Sequence, residues 1–126
     1  MAKRSVWRAW WSPRDVVRDR AVLREVVRRI INVADPDQVI LFGSAARGRL
    51  RHDSDFDLLV IKSGVEDTYQ LKQKILAHLF GIPVPVDVIV TTPEDLQETG
   101  SQWTLIGRIR REGRSLYAAQ QRRLTA

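Results

Sequence analysis

The sequence predicts an α/β (α+β) domain in which helices flank a small mixed β-sheet. The order of the predicted elements supports this fold class, and the length of the chain limits the number of domains. Segments with apolar residues at helical spacing alternate with short apolar, β-branched runs, in the order helix, strand, strand, helix, strand and a helical end. The chain has 126 residues, enough for one hydrophobic core and too few for two, so residues 1–126 are expected to form a single domain.

The first long helix is predicted to begin at Ser12-Pro13-Arg14-Asp15, which offers an N-cap, a proline in the first turn and an acidic residue. Asp35-Pro36 is predicted to end it. The apolar residues that recur at helical spacing between these limits, and that should face the core, are Val16, Leu23, Val26, Val27, Ile30, Ile31 and Ala34.

Three apolar runs predict strands. The first is residues 39–42, the second follows Asp57, and the third is the β-branched run 83–90. Pro85 indicates that the third run is an edge strand or that a strand starts there.

The later helices are marked by their first residues. The sequence 63–66 matches a capping box and predicts the start of a second long helix, and 92–95 predicts the start of a shorter third one. Residues 104–112 are expected to be helical, with Gly113 ending the helix and 115–118 forming a short final strand. The expected buried stripe of the second helix is Leu71, Ile75, Leu76, Leu79 and Phe80.

A glycine-serine pair stands between the first two predicted strands. Gly43 lacks the Cβ that would keep a ligand away from the backbone. Ser44 supplies a hydroxyl group and an N–H at the start of a helical turn, where unpaired amides favour anions. Gly43 and Ser44 are therefore candidates for binding phosphate.

Aspartates follow ten residues after this pair. Asp55 and Asp57 are two apart, so on a strand their side chains leave the same face. Two adjacent carboxylates repel each other, and a divalent cation relieves the repulsion. Asp87 is an acid within an apolar run, where it is costly unless paired or bound to metal. The alternative for Asp87 is a carboxylate at a strand end that reaches solvent.

The pattern of Gly43-Ser44, ten residues and Asp55-x-Asp57, with both parts attached to apolar strands, resembles the signature of the DNA polymerase β-like nucleotidyltransferase superfamily. Within it, the chain looks most like the minimal nucleotidyltransferases, which are commonly paired with a HEPN-domain toxin. The resemblance covers roughly residues 14–118, flanked by a basic, aromatic N-terminal extension (1–12) and a basic tail (119–126). It implies a palm-like fold and places Asp87 on a strand beside the Asp-x-Asp strand.

The resemblance also implies roles for these residues. Asp55, Asp57 and Asp87 would hold divalent cations, two Mg²⁺ with Mn²⁺ as a substitute, and Asp87 is also the candidate general base. Gly43 and Ser44 would orient the phosphates of ATP. Arg47 lies between the two motifs and could stabilise the triphosphate or the departing pyrophosphate, although an arginine in a loop can equally serve solubility alone.

The expected activity is that of a protein adenylyltransferase-like nucleotidyltransferase, moving AMP from ATP to a hydroxyl of a HEPN-type toxin that it neutralises. About forty residues follow Asp87, so we expect a partner or second subunit to hold the acceptor, in a homo- or hetero-oligomer. One alternative is an antitoxin that acts by stoichiometric binding alone. Another is a transferase acting on nucleic acid, or on a small molecule held by a partner. No motif in the sequence indicates which nucleotide base the protein prefers.

Composition limits the cellular compartment and the kinds of binding site that are expected. The chain has no cysteine, which excludes disulfides and thiolate metal sites, and no signal peptide or run of membrane-spanning length is evident, so a cytoplasmic protein is expected. Its net charge of +6 is uneven: Lys and Arg outnumber acids by nine to three in 1–29 and six to one in 108–126, whereas acids lead by eleven to six in 30–107. This distribution indicates a cation-binding centre between two basic ends. The basic ends could attract nucleotide, nucleic acid or an acidic protein, or they could simply be solvated helix faces.

Overall fold

The computed structural model describes residues 13–43, 45–46, 55–99 and 104–119, with side chains in the first helix described from Arg20 onward. The described elements follow the predicted order of helices and strands. They are α1 (Pro13–Ala34), β1 (Gln38–Phe42), β2 (Phe56–Ile61), α2 (Thr68–Ala77), β3 (Val86–Thr91), α3 (Pro93–Thr99), α4 (Leu105–Glu112) and β4 (Arg114–Ala118).

The four strands form one mixed sheet in the order β3-β2-β1-β4. Strand β1 runs antiparallel to both β2 and β4, whereas β2 and β3 are parallel and are joined through α2. β3 is therefore an edge strand that starts directly after Pro85, so both predictions from this proline are confirmed. The predicted α/β (α+β) fold, a small mixed sheet flanked by helices, is confirmed.

Side chains alternate between two cores, one on each face of the sheet. On one face, α1 and α2 cover alternate strand residues such as Val39, Leu58 and Val88. On the other face, α3 and α4 contribute Leu96 and Ile109, which pack with strand residues of the opposite parity, among them Ile40, Leu59 and Ile61. A side chain on a strand is thus assigned to a face by its parity.

Helix α1 packs through part of its predicted stripe, because Val27 and Ile31 are only half-buried and do not belong to the core cluster. Val26 and Ile30 are fully buried and Ala34 is nearly so. The helix ends at Ala34 because Asp35 has a left-handed φ of 45° and Pro36 follows it, which confirms the predicted end. None of the described helices is long and apolar enough to cross a membrane.

The predicted start of the second helix is wrong. Helix α2 begins at Thr68 and is capped by Asp67, whose side chain accepts a hydrogen bond from the Gln70 N–H at 3.0 Å. The predicted box at 63–66 forms a turn, with Gly64 at a φ of 78°. Phe80 is also misplaced in the predicted stripe, since it lies beyond the helix end and is 90% exposed.

Candidate active site

The three candidate aspartates lie at one end of the sheet, where β1 ends and β2 and β3 begin. Asp57 and Asp87 are direct partners in the parallel register of β2 and β3, and Phe42 is opposite Asp57 on β1. Asp55 comes immediately before β2. A hydrogen bond of 3.0 Å from the Phe56 N–H to the Pro85 carbonyl holds the two strand starts side by side.

Strand parity puts Asp57 and Asp87 on one face. Asp57 alternates with Leu59, and Asp87 with Ile89, both of which belong to the core under α3 and α4. Asp57 is half-buried, whereas Asp55 and Asp87 are exposed. Asp55 and Asp87 are therefore open to solvent at this end of the sheet, which agrees with part of the alternative interpretation of Asp87.

These carboxylates influence one another. Burial raises the pKa of Asp57 above its ordinary value, and the negative charges of Asp87 and then Asp55 raise it further. The ionised form of Asp57 is therefore less favoured than that of a free aspartate. A bound cation would remove the repulsion.

Gly43 brings the end of β1 against Asp57. Its φ of 78° lies in the left-handed region, and a Cβ at this position would overlap the Asp57 carboxylate. The missing side chain therefore makes room for Asp57. The sequence predicted instead that Gly43 makes room for a ligand. Ser44 and Arg47, the other candidate phosphate-binding residues, lie outside the described residues.

The donor set suits a hard cation in kind, because all three side chains offer carboxylate oxygens, the ligands preferred by Mg²⁺ and Mn²⁺. Among the described residues, however, no three acidic or histidine side chains converge, as placed, on a common point that could hold an ion. Asp55, Asp57 and Asp87 are neighbours whose charges interact rather than a closed cage. Metal binding by them stays a prediction.

A cavity of about 150 Å³ adjoins the Gly43 turn. Phe42 and Gly43 form one side of it, and α4 forms the other through Leu105, Arg108, Ile109 and Glu112. Arg108 lies 3.5 Å from the Glu112 carboxylate in an exposed ion pair at the rim of this cavity. Sequence analysis missed Arg108, since only the pairing of β4 with β1 brings α4 beside Gly43.

Residues 20–116 match the model of the nucleotidyltransferase domain family. The chain belongs to this family. The match spans most of the chain and includes Gly43 and all three aspartates, and it confirms the predicted enzyme class, a nucleotidyltransferase.

The nucleotidyltransferase is similar in fold to a solved structure from Sulfolobus solfataricus, provisionally assigned as a nucleotidyltransferase. The TM-score is 0.59 with 19% sequence identity, over 83% of this chain and 85% of that one. A weaker likeness, with a TM-score of 0.45 and 21% identity over 77% of this chain and 74% of the other, is to a toxin–antitoxin structure with AMP-PNP. No curated protein matches the chain significantly.

Proposed function

We propose that this nucleotidyltransferase transfers AMP from ATP to a hydroxyl group of a partner protein, a HEPN-type toxin that it thereby neutralises in the cytoplasm. The observation that supports transfer chemistry is the juxtaposition of Asp57 and Asp87 across β2 and β3, with Gly43 against Asp57. The choice of toxin rests on the resemblance of the Gly43-Ser44 and Asp55-x-Asp57 pattern to the minimal nucleotidyltransferases.

Charge requires a cation in this proposal. ATP carries several negative charges, and three aspartates at the same end of the sheet add more. Asp55 and Asp57 would hold two Mg²⁺ ions, with Asp87 as a further ligand of the second. Bound there, the ions would neutralise phosphate charge and lower the pKa of the attacking hydroxyl.

The chain's own residues would then orient the phosphates of ATP and deprotonate the acceptor hydroxyl. Gly43 and Ser44 would direct the phosphates so that the α-phosphorus faces the acceptor in line. The acceptor oxygen forms a bond to the α-phosphorus, the bond from that phosphorus to the β-phosphate oxygen breaks, and pyrophosphate leaves. Asp87 would take the hydroxyl proton. Arg47 would stabilise the charge on the leaving pyrophosphate.

Exposure of the site supports a macromolecular acceptor. Asp87 is on the edge strand β3 and is exposed, as is Asp55. A hydroxyl on the surface of a folded partner can approach such a site without entering a deep cleft. The partner's docking would supply the positioning, which can lower a barrier by roughly 7–11 kcal/mol.

The test uses the full chain mixed with its HEPN-type partner, ATP and Mg²⁺. Intact mass of the partner should increase by one or more AMP units, and Asp55→Ala/Asp57→Ala should abolish the increase. Glu94→Ala/Glu98→Ala removes two exposed acids from α3 and is the matched control, expected to behave as wild type. If neither wild type nor the aspartate variant adds mass while both neutralise the partner equally, the stoichiometric antitoxin is the better interpretation.

A further inference from the structure

A groove of about 420 Å³ runs along α1 on the face of the sheet opposite the carboxylates. Its placement follows from Leu116 of β4, which lines the groove and packs with the core under α1 and α2. Seven described residues line it. The apolar ones are Leu23, Val27, Ile31 and Leu116, and the basic ones are Arg20, Arg24 and Arg28.

Among the described side chains, arginines outnumber acids on the basic side of the groove. Arg28 donates to Glu25 at 2.6 Å, and Arg29 donates to the same carboxylate at 2.8 Å, so a single acid serves two arginines. Among the side chains that the structure describes, which begin at Arg20 in α1, no acid pairs with Arg20 or Arg24. A partner with acidic residues along this side would therefore be attracted to it.

The apolar floor has the spacing of a helix face. Leu23, Val27 and Ile31 are four residues apart on α1 and span about 12 Å along its axis at roughly 1.5 Å per residue. A second helix of about three turns, with apolar residues at i, i+3 or i+4, and i+7, would match this length. The arginines follow the same four-residue spacing, so acids one helical turn apart on the partner would lie opposite them.

A second copy of the chain is a poor occupant. Symmetric pairing of this face with itself would bring the arginine row of one copy against the row of the other. Such like-charge contacts oppose association. The groove therefore calls for a partner of opposite charge.

We infer that the α1 groove docks an acidic amphipathic helix of a partner protein. Docking on this face leaves Asp57 and Asp87 uncovered on the other. The groove and its charge stand without the proposed function; only the further step, that the docked partner is also the acceptor, rests on it.

The inference is tested with a fluorescein-labelled, lactam-bridged helical peptide of roughly fifteen residues, with leucines at i, i+4 and i+7 and glutamates beside them. The full chain should bind it saturably in fluorescence anisotropy. Arg20→Glu/Arg24→Glu should weaken binding about tenfold or more, as expected when charge complementarity is inverted. Lys72→Glu/Lys74→Glu on α2 makes the same change in net charge away from the groove and should leave binding within about twofold.

Several outcomes would overturn the inference. One is no saturable binding up to about 100 µM, which is weaker than a usable docking affinity; another is equal binding of a peptide with lysines in place of the glutamates. Equal losses in the two charge-reversal variants would indicate non-specific attraction. A dimer in sedimentation that Arg20→Glu/Arg24→Glu disrupts would make a second copy the occupant. Saturable peptide binding by a chain that adds no AMP to its partner protein would instead refute the proposed function and leave the docking inference standing.

Discussion

Gly43→Ala is the most informative substitution because the structure separates two costs at this position. The backbone cost arises from the φ of 78°, which disfavours any residue with a Cβ. The contact cost arises because the new methyl group overlaps the Asp57 carboxylate. Gly64 offers the comparison, since it has the same φ of 78° but nothing within 4 Å of the position of an added Cβ.

The magnitudes follow from these contacts. A left-handed φ costs an L-residue about 1–2 kcal/mol, and forcing a methyl group into an occupied space costs about 1–3 kcal/mol more. Gly64→Ala should therefore lower the free energy of unfolding by about 1–2 kcal/mol, and Gly43→Ala by about 2–5 kcal/mol. At roughly 3–5 °C per kcal/mol for a domain of this size, the two melting temperatures should be clearly resolved.

The assay is urea unfolding of the two alanine variants, repeated in an Asp57→Ala background. Removing the carboxylate should reduce the cost of Gly43→Ala to that of Gly64→Ala, because only the backbone term then remains. AMP transfer should fall about a hundredfold in Gly43→Ala, since displacement of a catalytic group by about an ångström has an effect of this order. Equal costs in both backgrounds, or transfer matching that of Gly64→Ala, would refute the close approach as the reason for this glycine.

Three further outcomes are expected. Burial and then the charges of Asp87 and Asp55 raise the pKa of Asp57. At neutral pH, Asp57→Asn should therefore raise the melting temperature of the metal-free protein and abolish the thermal shift with Mg²⁺ and ATP. Loss of the fold would instead indicate a structural role. By calorimetry, Asp87→Asn should retain ATP binding better than Asp55→Asn/Asp57→Asn, and equal losses would deny Asp87 its separate role. Hydrogen bonds from Arg28 and Arg29 lower the pKa of Glu25 from 4.5 to about 2. The contribution of Glu25 to stability is therefore complete above pH 4.5 and is lost as the pH falls toward 2. Glu25→Gln should flatten that part of the acid-unfolding curve, and an unchanged curve would contradict this.

Local chemistry predicted much of the fold. The stop at Asp35-Pro36 and the helix ended by Gly113 depend on residues adjacent in sequence, and both were predicted correctly. The start of α2 was not. Residues 63–66 match a capping box, but Asp67 offers a second possible N-cap and is the residue that caps the helix. The earlier residues therefore form a turn.

Non-local geometry was less accessible. Nothing in the sequence alone fixes Asp57 opposite Asp87, because strand register depends on pairing between segments thirty residues apart. The resemblance supplied only the expectation that Asp87 lies on a strand beside the Asp-x-Asp strand. It did not supply Arg108, whose position beside Gly43 requires α4 and β4 to return to the edge of β1.

The two faces of the sheet explain how a small basic domain can hold a cluster of acids. Sheet pairing fixes Asp57 and Asp87 through the backbone, and their parity directs them to the side of α3 and α4. The arginines of the groove project from α1 on the other side, behind a layer of buried strand residues. Because that layer separates the opposite charges, the arginines do not neutralise the carboxylates. In the proposed function the acidic site would then still need a cation, and in the docking inference the basic groove would still attract an acidic partner.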